Sequence, residues 1–515
     1  MPRRPRAAGD LCAIFIHAGA GFHSLQNEKS HLLAVNDAAR VAMAVLKNGG
    51  DAIEAVEMAI RLLEDKEITN AGYGSNLTID GQVECDATLV DHLGRSGAVG
   101  AISLVKNPIA VARLVLDDTT KPMSLHRVPP NLLVGPGATD YAADKGVPIL
   151  PADFLVSATA RARWSRWRDE LEDTNRRQGQ SQSFSSTTPQ DDWGRTPTPA
   201  APPLSPNVSP LAPGRHVSLS EMRPMVRPLM ASTADVPTLS HPGGGRDPGY
   251  PSSVFPSRSA TQHNPLNGNA SQNHVEAASD DSVQWLASAP KRQKINDSFD
   301  GPAEEDPHFV VHPDDKRKDD IQDTVGAIAI DCFGRIAAGS SSGGIGMKHK
   351  GRCGPAALVG VGSAVIPIDP QDPTQTCVAT VTSGTGEHMA TTTAAATAAD
   401  RIYSSVRKER GQLESCNEDE AMLSVIKNDF MGHPGVSSSP CAGAIGILAV
   451  KKSCDGIYFY FGHNTDSFAL ASMHSEEKKP VCTMSRSRGR GSIAQGGRVS
   501  RAKGARRADP LERQS

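Results

Sequence analysis

Apolar residues in the first 170 positions fall into short runs separated by turn residues. Residues 13–17, AIFIH, are a continuous apolar run that predicts a buried strand, and the AGAG after it predicts a tight turn. HLLAVNDAARVAMAVLKNGG repeats its apolar positions at helical spacing and is closed by Gly49 and Gly50. DAIEAVEMAIRLLEDK does the same behind Asp51 as an N-cap. A Gly/Asn-rich loop, TNAGYGSNLTIDGQVECDATLVD (69–91), runs into a strand through a DG turn. GAVGAISLV predicts another strand of small residues, and NPIAVARLVLD a short helix. The order β-α-α-β-β-α belongs to a layered α+β fold.

SATARARWSRWRDELE (157–172) predicts a basic amphipathic helix, and beyond it the pattern stops. Twenty of the 37 prolines lie between Pro189 and Pro313, so 173–320 reads as a disordered Ser/Pro-rich insertion. Periodicity returns at Thr324. VGAIAI, RIAAGS, AGAIGILAV, GIYFYFG and SFALASM predict strands, and EHMATTTAAATAADRIYSSVRKE one long helix. The organisation expected is a flexible 1–11, core halves at 12–172 and 324–480 around the insertion, and a basic flexible tail over 481–515. The core is expected to stack in four layers, αββα.

Composition narrows the possibilities. Apolar residues are 38% of 515 and aromatics 4%, low for a wholly folded chain. Without the insertion, roughly 350 residues remain, enough for one large core. A net charge of −3 and a pI near 6.6 do not support a nucleic-acid or anionic-membrane role. The N-terminus lacks the apolar core of a signal peptide, and no 18-residue apolar span occurs. Nine cysteines without a CxxC pair fit reduced thiols in the cytosol or nucleus, and APKRQKIND (289–297) is a short basic stretch of the nuclear-localisation kind. With no HExxH either, neither a metal nor a cofactor is expected.

The chemistry centres on Asp323-Thr324, where the ordered pattern restarts directly after the insertion. As plain structure, this is a loop residue followed by a β-branched strand opener. As chemistry, a Thr hydroxyl can attack the preceding carbonyl and turn the amide into an ester that water cuts. The new N-terminal Thr then holds nucleophile and base together, because its α-amine titrates at about 7.7–8.0 rather than the ~10.4 of a lysine.

HAGAG (17–21), the 69–91 loop, DTVGAIAIDCFGRIAAGSSSGG (323–344), KHKGRCGPAAL (348–358) and TSGTGEH (382–388) together resemble the type 2 asparaginase family of N-terminal-nucleophile hydrolases. Within it they look most like the threonine aspartases. The resemblance implies Thr324 as nucleophile, Asp323 before the scissile bond, and Ser342 as a second hydroxyl beside the nucleophile. It further implies Arg352 and Gly386 at a substrate carboxylate, Ser383 and Gly384 as the oxyanion hole, and Asn70 as a loop residue steering self-cleavage. Homodimers of processed heterodimers are implied too. His17 reads as structural, since the HAGAG glycines account for the motif through close backbone approach. Glu84 and Asp86 read as a polar network ordering their loop.

One departure bears on substrate. Family members acting on small substrates carry an Asp three residues after the gripping Arg, where it pairs with a free α-ammonium; here Pro355 stands there. An ammonium buried without that partner is costly, whereas an aspartate inside a chain brings no ammonium. The expectation is a self-processing endopeptidase cutting protein substrates after Asp. The alternatives are an asparaginase or isoaspartyl peptidase, or an inactive fold serving as a nuclear interaction module.

Overall fold

The computed structural model describes residues 11–184, 285–286, 323–489 and 491–501. One sheet holds β1 (Ala13–Gly21), β2 (Cys85–Val90), β3 (Ser96–Ile102), β4 (Leu132–Val134), β6 (Val325–Ile330), β7 (Ile336–Ser342), β14 (Ser467–His474) and β15 (Val481–Arg486). Its order is β15-β14-β1-β6-β7-β2-β3-β4. The other holds β5 (Trp285–Leu286), β8 (Ser363–Ile366), β9 (Cys377–Gly384), β12 (Ile445–Ser453), β13 (Gly456–His463) and β16 (Ala494–Ser500). Its order is β5-β16-β13-β12-β9-β8.

Strand alternation builds the layers. Ile14 and Ile16 of β1, with Val325, Ala327 and Ala329 of β6, face α1 (Leu25–Lys47), α2 (Ala52–Glu64) and α3 (Pro108–Asp118). Ala13, Phe15, Ile328 and Ile330 point the other way, onto Val381, Leu448 and Phe459 of the second sheet. The outer face of that sheet, through Val378, Ile447 and Ala449, packs on α7 (Ala394–Ser404) and α8 (Glu418–Ser424). Strands buried on both faces explain the near-continuous apolar runs. The result is the expected four-layer αββα sandwich. The insertion lies outside the described residues, apart from its first twelve residues and β5.

Local chemistry sets the boundaries. Asp51 accepts from the Glu54 N–H (2.8 Å) while Glu54 accepts from the Asp51 N–H (3.0 Å), a closed capping box at the start of α2. The β2–β3 and β6–β7 turns repeat one device, D-x-x-G-R. Asp91 and Asp331 each accept two backbone N–H groups, and Gly94 (φ 76°) and Gly334 (φ 73°) supply the left-handed residue.

Four expectations change. AGAG is not a tight turn: β1 runs on to Gly21 with a bulge between His17 and Ala20. The single long helix after 386 is broken into α6 (Gly386–Thr391) and α7. Thr392 and Thr397 hydroxyls bond to the carbonyls of His388 and Thr392, and Thr393 sits at φ 45°. Residues 481–515 are not wholly a tail, because β15 and β16 add to the two sheets. Their basic residues have partners: Arg486 pairs with Glu28 (2.6 Å), and the buried Arg498 with Glu477. Finally α5 (Ala158–Phe184) runs twelve residues past the expected end, over a stretch with no apolar spacing to mark it.

Candidate active site

Sheet register places the nucleophile candidate. Val325 pairs with Ser341, so one residue further out Thr324 stands opposite Ser342, which itself faces Asp86 of β2. Alternation also separates the three serines. Ser340 meets Ser363 of β8 between the sheets (2.9 Å), whereas Ser341 points to the helix layer and donates to Glu64 Oε1 (2.7 Å). Ser342 therefore shares the inter-sheet side with Thr324, and its Oγ accepts the Gly344 N–H (3.0 Å). From β9, Ser383 Oγ accepts the N–H of Thr324 (3.2 Å) and of Ala20 (3.1 Å). Gly384 follows at φ 149°, where a Cβ would lie 2.1 Å from the Ala444 carbonyl oxygen.

Asp323 is buried on the β1 bulge. A Cβ on Gly19 would sit 1.9 Å from Asp323 Cβ, and one on Gly21 2.3 Å from its Oδ1, so these two glycines make the space it occupies. Its Oδ2 lies 3.2 Å from His23 Nε2. No ion pair joins Asp323 to Arg352 among the described residues. The Arg352 guanidinium instead packs over Gly344, Gly354 and Gly386, where a Cβ would come within 2.9, 2.5 and 2.7 Å, and it pairs with Glu387 (2.7 Å). Pro355, buried, stands on the same side, its Cδ 2.7 Å from where a Cβ on Gly386 would lie. Arg352, Gly386 and Pro355 thus form one cluster.

Four buried groups hold the loops around this cluster. The Asn70 side-chain amide donates to the Gly344 carbonyl (2.8 Å), its carbonyl accepts the Asn76 N–H (2.9 Å), and its backbone carbonyl accepts from Gly343. Lys348 Nζ donates to the Gly343 (2.8 Å) and Glu84 carbonyls. Asp86 accepts the N–H of Ala101 (2.8 Å) and of Gly354 (2.7 Å), and Glu84 that of Gly351 (2.8 Å). Both carboxylates act as loop-ordering acceptors. Helix α5 fastens the same region: Arg163 donates to the Gly74 carbonyl, Trp164 to that of Thr78, and Trp167 lies over Gly346.

Burial dominates the electrostatics. His17 lies against Gly326 and the Phe468 ring, and burial drives its pKa down to about 3, a contact to the Thr324 backbone offsetting part of this. The ring is neutral at working pH, which suits a structural residue. Burial pushes Glu64 up to about 8, against bonds from Ser341 and the Ile109 N–H, and raises Asp86, with Lys348 opposing.

The fold brings together Thr324, Ser342, Ser383, Gly384 and Asp323 around one strand end. Asn70, Gly344 and Arg352 join them through the 343–354 loop. Sequence reasoning did not single out His23, Lys348, Glu387, Glu64 or the fit of Gly19 and Gly21 to Asp323. His23 lies two residues beyond HAGAG, which was the available signal. A separate cleft of about 460 Å³, lined by Lys408, Arg410, Lys427 and Asn428 among others, shares no residue with this site.

A family model described as asparaginase matches residues 11–197 and 255–458, more than half of the chain. Among curated relatives, an isoaspartyl peptidase/L-asparaginase of Rattus norvegicus is 37% identical over 160 residues, 30% of this chain and 45% of the relative. Proteins of the same description from Danio rerio and Homo sapiens are each 36% identical over 159 residues, 30% of this chain and 48% and 49% of theirs. The chain spans about half the length of these relatives. With the four-layer sandwich and the Thr324 strand end beside them, these matches make the chain a member of the type 2 asparaginase family of N-terminal-nucleophile hydrolases.

Proposed function

We propose that the chain is a self-processing threonine hydrolase that cuts itself at Asp323–Thr324 and then cuts protein chains after aspartate. In the first reaction Thr324 Oγ bonds to the Asp323 carbonyl carbon, the C–N bond breaks, and the hydroxyl proton ends on the released nitrogen. Water then hydrolyses the ester, leaving an Asp323 carboxylate and a free Thr324. In the second, the α-amine of Thr324 takes its own hydroxyl proton and the oxygen attacks a substrate carbonyl. Ser383 and Gly384 are assigned to the carbonyl oxygen, Ser342 to holding the nucleophile, Asn70 to positioning the 343–344 loop, and Arg352 over Gly386 to the substrate carboxylate. A planar guanidinium suits that task through bidentate pairing. Glu387 occupies Arg352 in this structure, but its side chain is 60% exposed and the pair is weak enough to yield.

The observation carrying the reading is Pro355. It is buried beside Arg352, both side chains lining Gly386, where small-substrate members of the family place an amine-pairing carboxylate. The second reading, a hydrolase of asparagine or β-aspartyl dipeptides, is favoured by the names of the relatives. To separate the two, the processed protein is given a peptide with an internal Asp, a β-aspartyl dipeptide and free asparagine, and kcat/KM is compared. The peptide is expected to lead, with cleavage after Asp. A tenfold advantage for either small substrate overturns the endopeptidase reading in favour of the second. Pairing of processed molecules and a nuclear or cytosolic setting stay within the proposal, and 289–297 lies outside the described residues.

A further inference from the structure

We infer that His23 is the positioning residue for self-processing: it holds the Asp323 side chain while Thr324 attacks, at a carboxylate site distinct from Arg352. The inference rests on the self-cleavage reading above. His23 is 1% exposed, and its ring is fixed on three sides. Its Nδ1 and its backbone N–H both meet Ser467 Oγ (2.9 Å each), the Ser467 hydroxyl reaches the Gly21 carbonyl (3.3 Å), and the His31 ring stands edge-on at 4.4 Å. Nε2 lies 3.2 Å from Asp323 Oδ2, within ion-pair reach though not aligned for a hydrogen bond.

Close to His23 in sequence, the β1 bulge shapes the space for Asp323, through Gly19 and Gly21. Holding the side chain limits rotation of the residue whose carbonyl is attacked, and a misplacement of about 1 Å at such a step costs on the order of 10²-fold. Arg352, occupied by Glu387 and walled by three glycines, is left for aspartates that arrive from outside.

The test follows conversion of the full-length chain into two fragments as a first-order rate. His23→Leu is expected to slow it by about tenfold or more, and His23→Gln, which keeps a donor, to recover part of the loss. On an Asp323→Ala background His23→Leu should add no further slowing, because its partner is already gone. A merely structural role would slow both backgrounds alike and give equal effects for Leu and Gln; either result overturns the inference. If Asp323→Ala does not convert at all, the Gln-against-Leu comparison decides. A wild-type chain that splits while His23→Leu keeps its rate overturns this inference alone. A wild-type chain that never splits overturns the self-cleavage reading and this inference with it.

Discussion

Glu64 shows how much one buried side chain can hide. It stands behind β6 and β7, 0% exposed, with Ser341 and Ile109 donating to Oε1. Burial lifts it from the ordinary 4.5 to about 8, so between those values the folded chain keeps a proton that the unfolded chain has lost. Its contribution therefore makes stability fall as pH rises through that window, and the loss is complete above about 8. Glu64→Gln, which keeps the acceptor for Ser341 and cannot ionise, should flatten the decline in thermal midpoint between pH 5 and 8. Equal slopes for the two proteins would contradict the account. At this scale the residues legible in the sequence were those in motifs: Thr324, Arg352, Ser383 and Gly386. His23, Lys348 and Glu64 were not legible, because their partners lie on other segments: His23 meets Asp323 three hundred positions away.

At the scale of elements, the bulge in β1 does the most for the site. AGAG read as a turn because small residues and glycine mark turns. Here the missing side chains instead admit Asp323 from a neighbouring strand, and no local pattern reports that. The prediction is that Gly19→Ala slows self-processing by about tenfold or more, since its Cβ would fall 1.9 Å from Asp323 Cβ at a φ of +103°. Gly137→Ala, with nothing within 4 Å, is the control and should leave the rate unchanged. The gel-based conversion rate measures both, and wild-type rates for Gly19→Ala would remove Asp323 from the bulge. Elements built on apolar periodicity, such as α1, α2, β6 and β12, were readable along the chain. The break between α6 and α7 and the strands β15 and β16 were not. Threonine hydroxyls competing for carbonyls decide the first, and pairing with distant strands the second.

For the whole molecule, the order of motifs along 515 residues carried the fold, because a four-layer sandwich needs both halves to contribute strands to one sheet. β1 lies between β14 and β6, so strands from before and after the insertion are hydrogen-bonded neighbours. A cut at Asp323–Thr324 therefore leaves two pieces that share a core and stay together until denatured. The most direct measurement is a denaturing gel of the purified wild-type and Thr324→Ala proteins, with mass spectrometry of the fragment ends. Two fragments, 1–323 and 324–515 with Thr324 as a free N-terminus, are predicted for the wild type, and a single chain for Thr324→Ala. An uncut wild-type chain, or a Thr324→Ala protein that still splits at this bond, would contradict it.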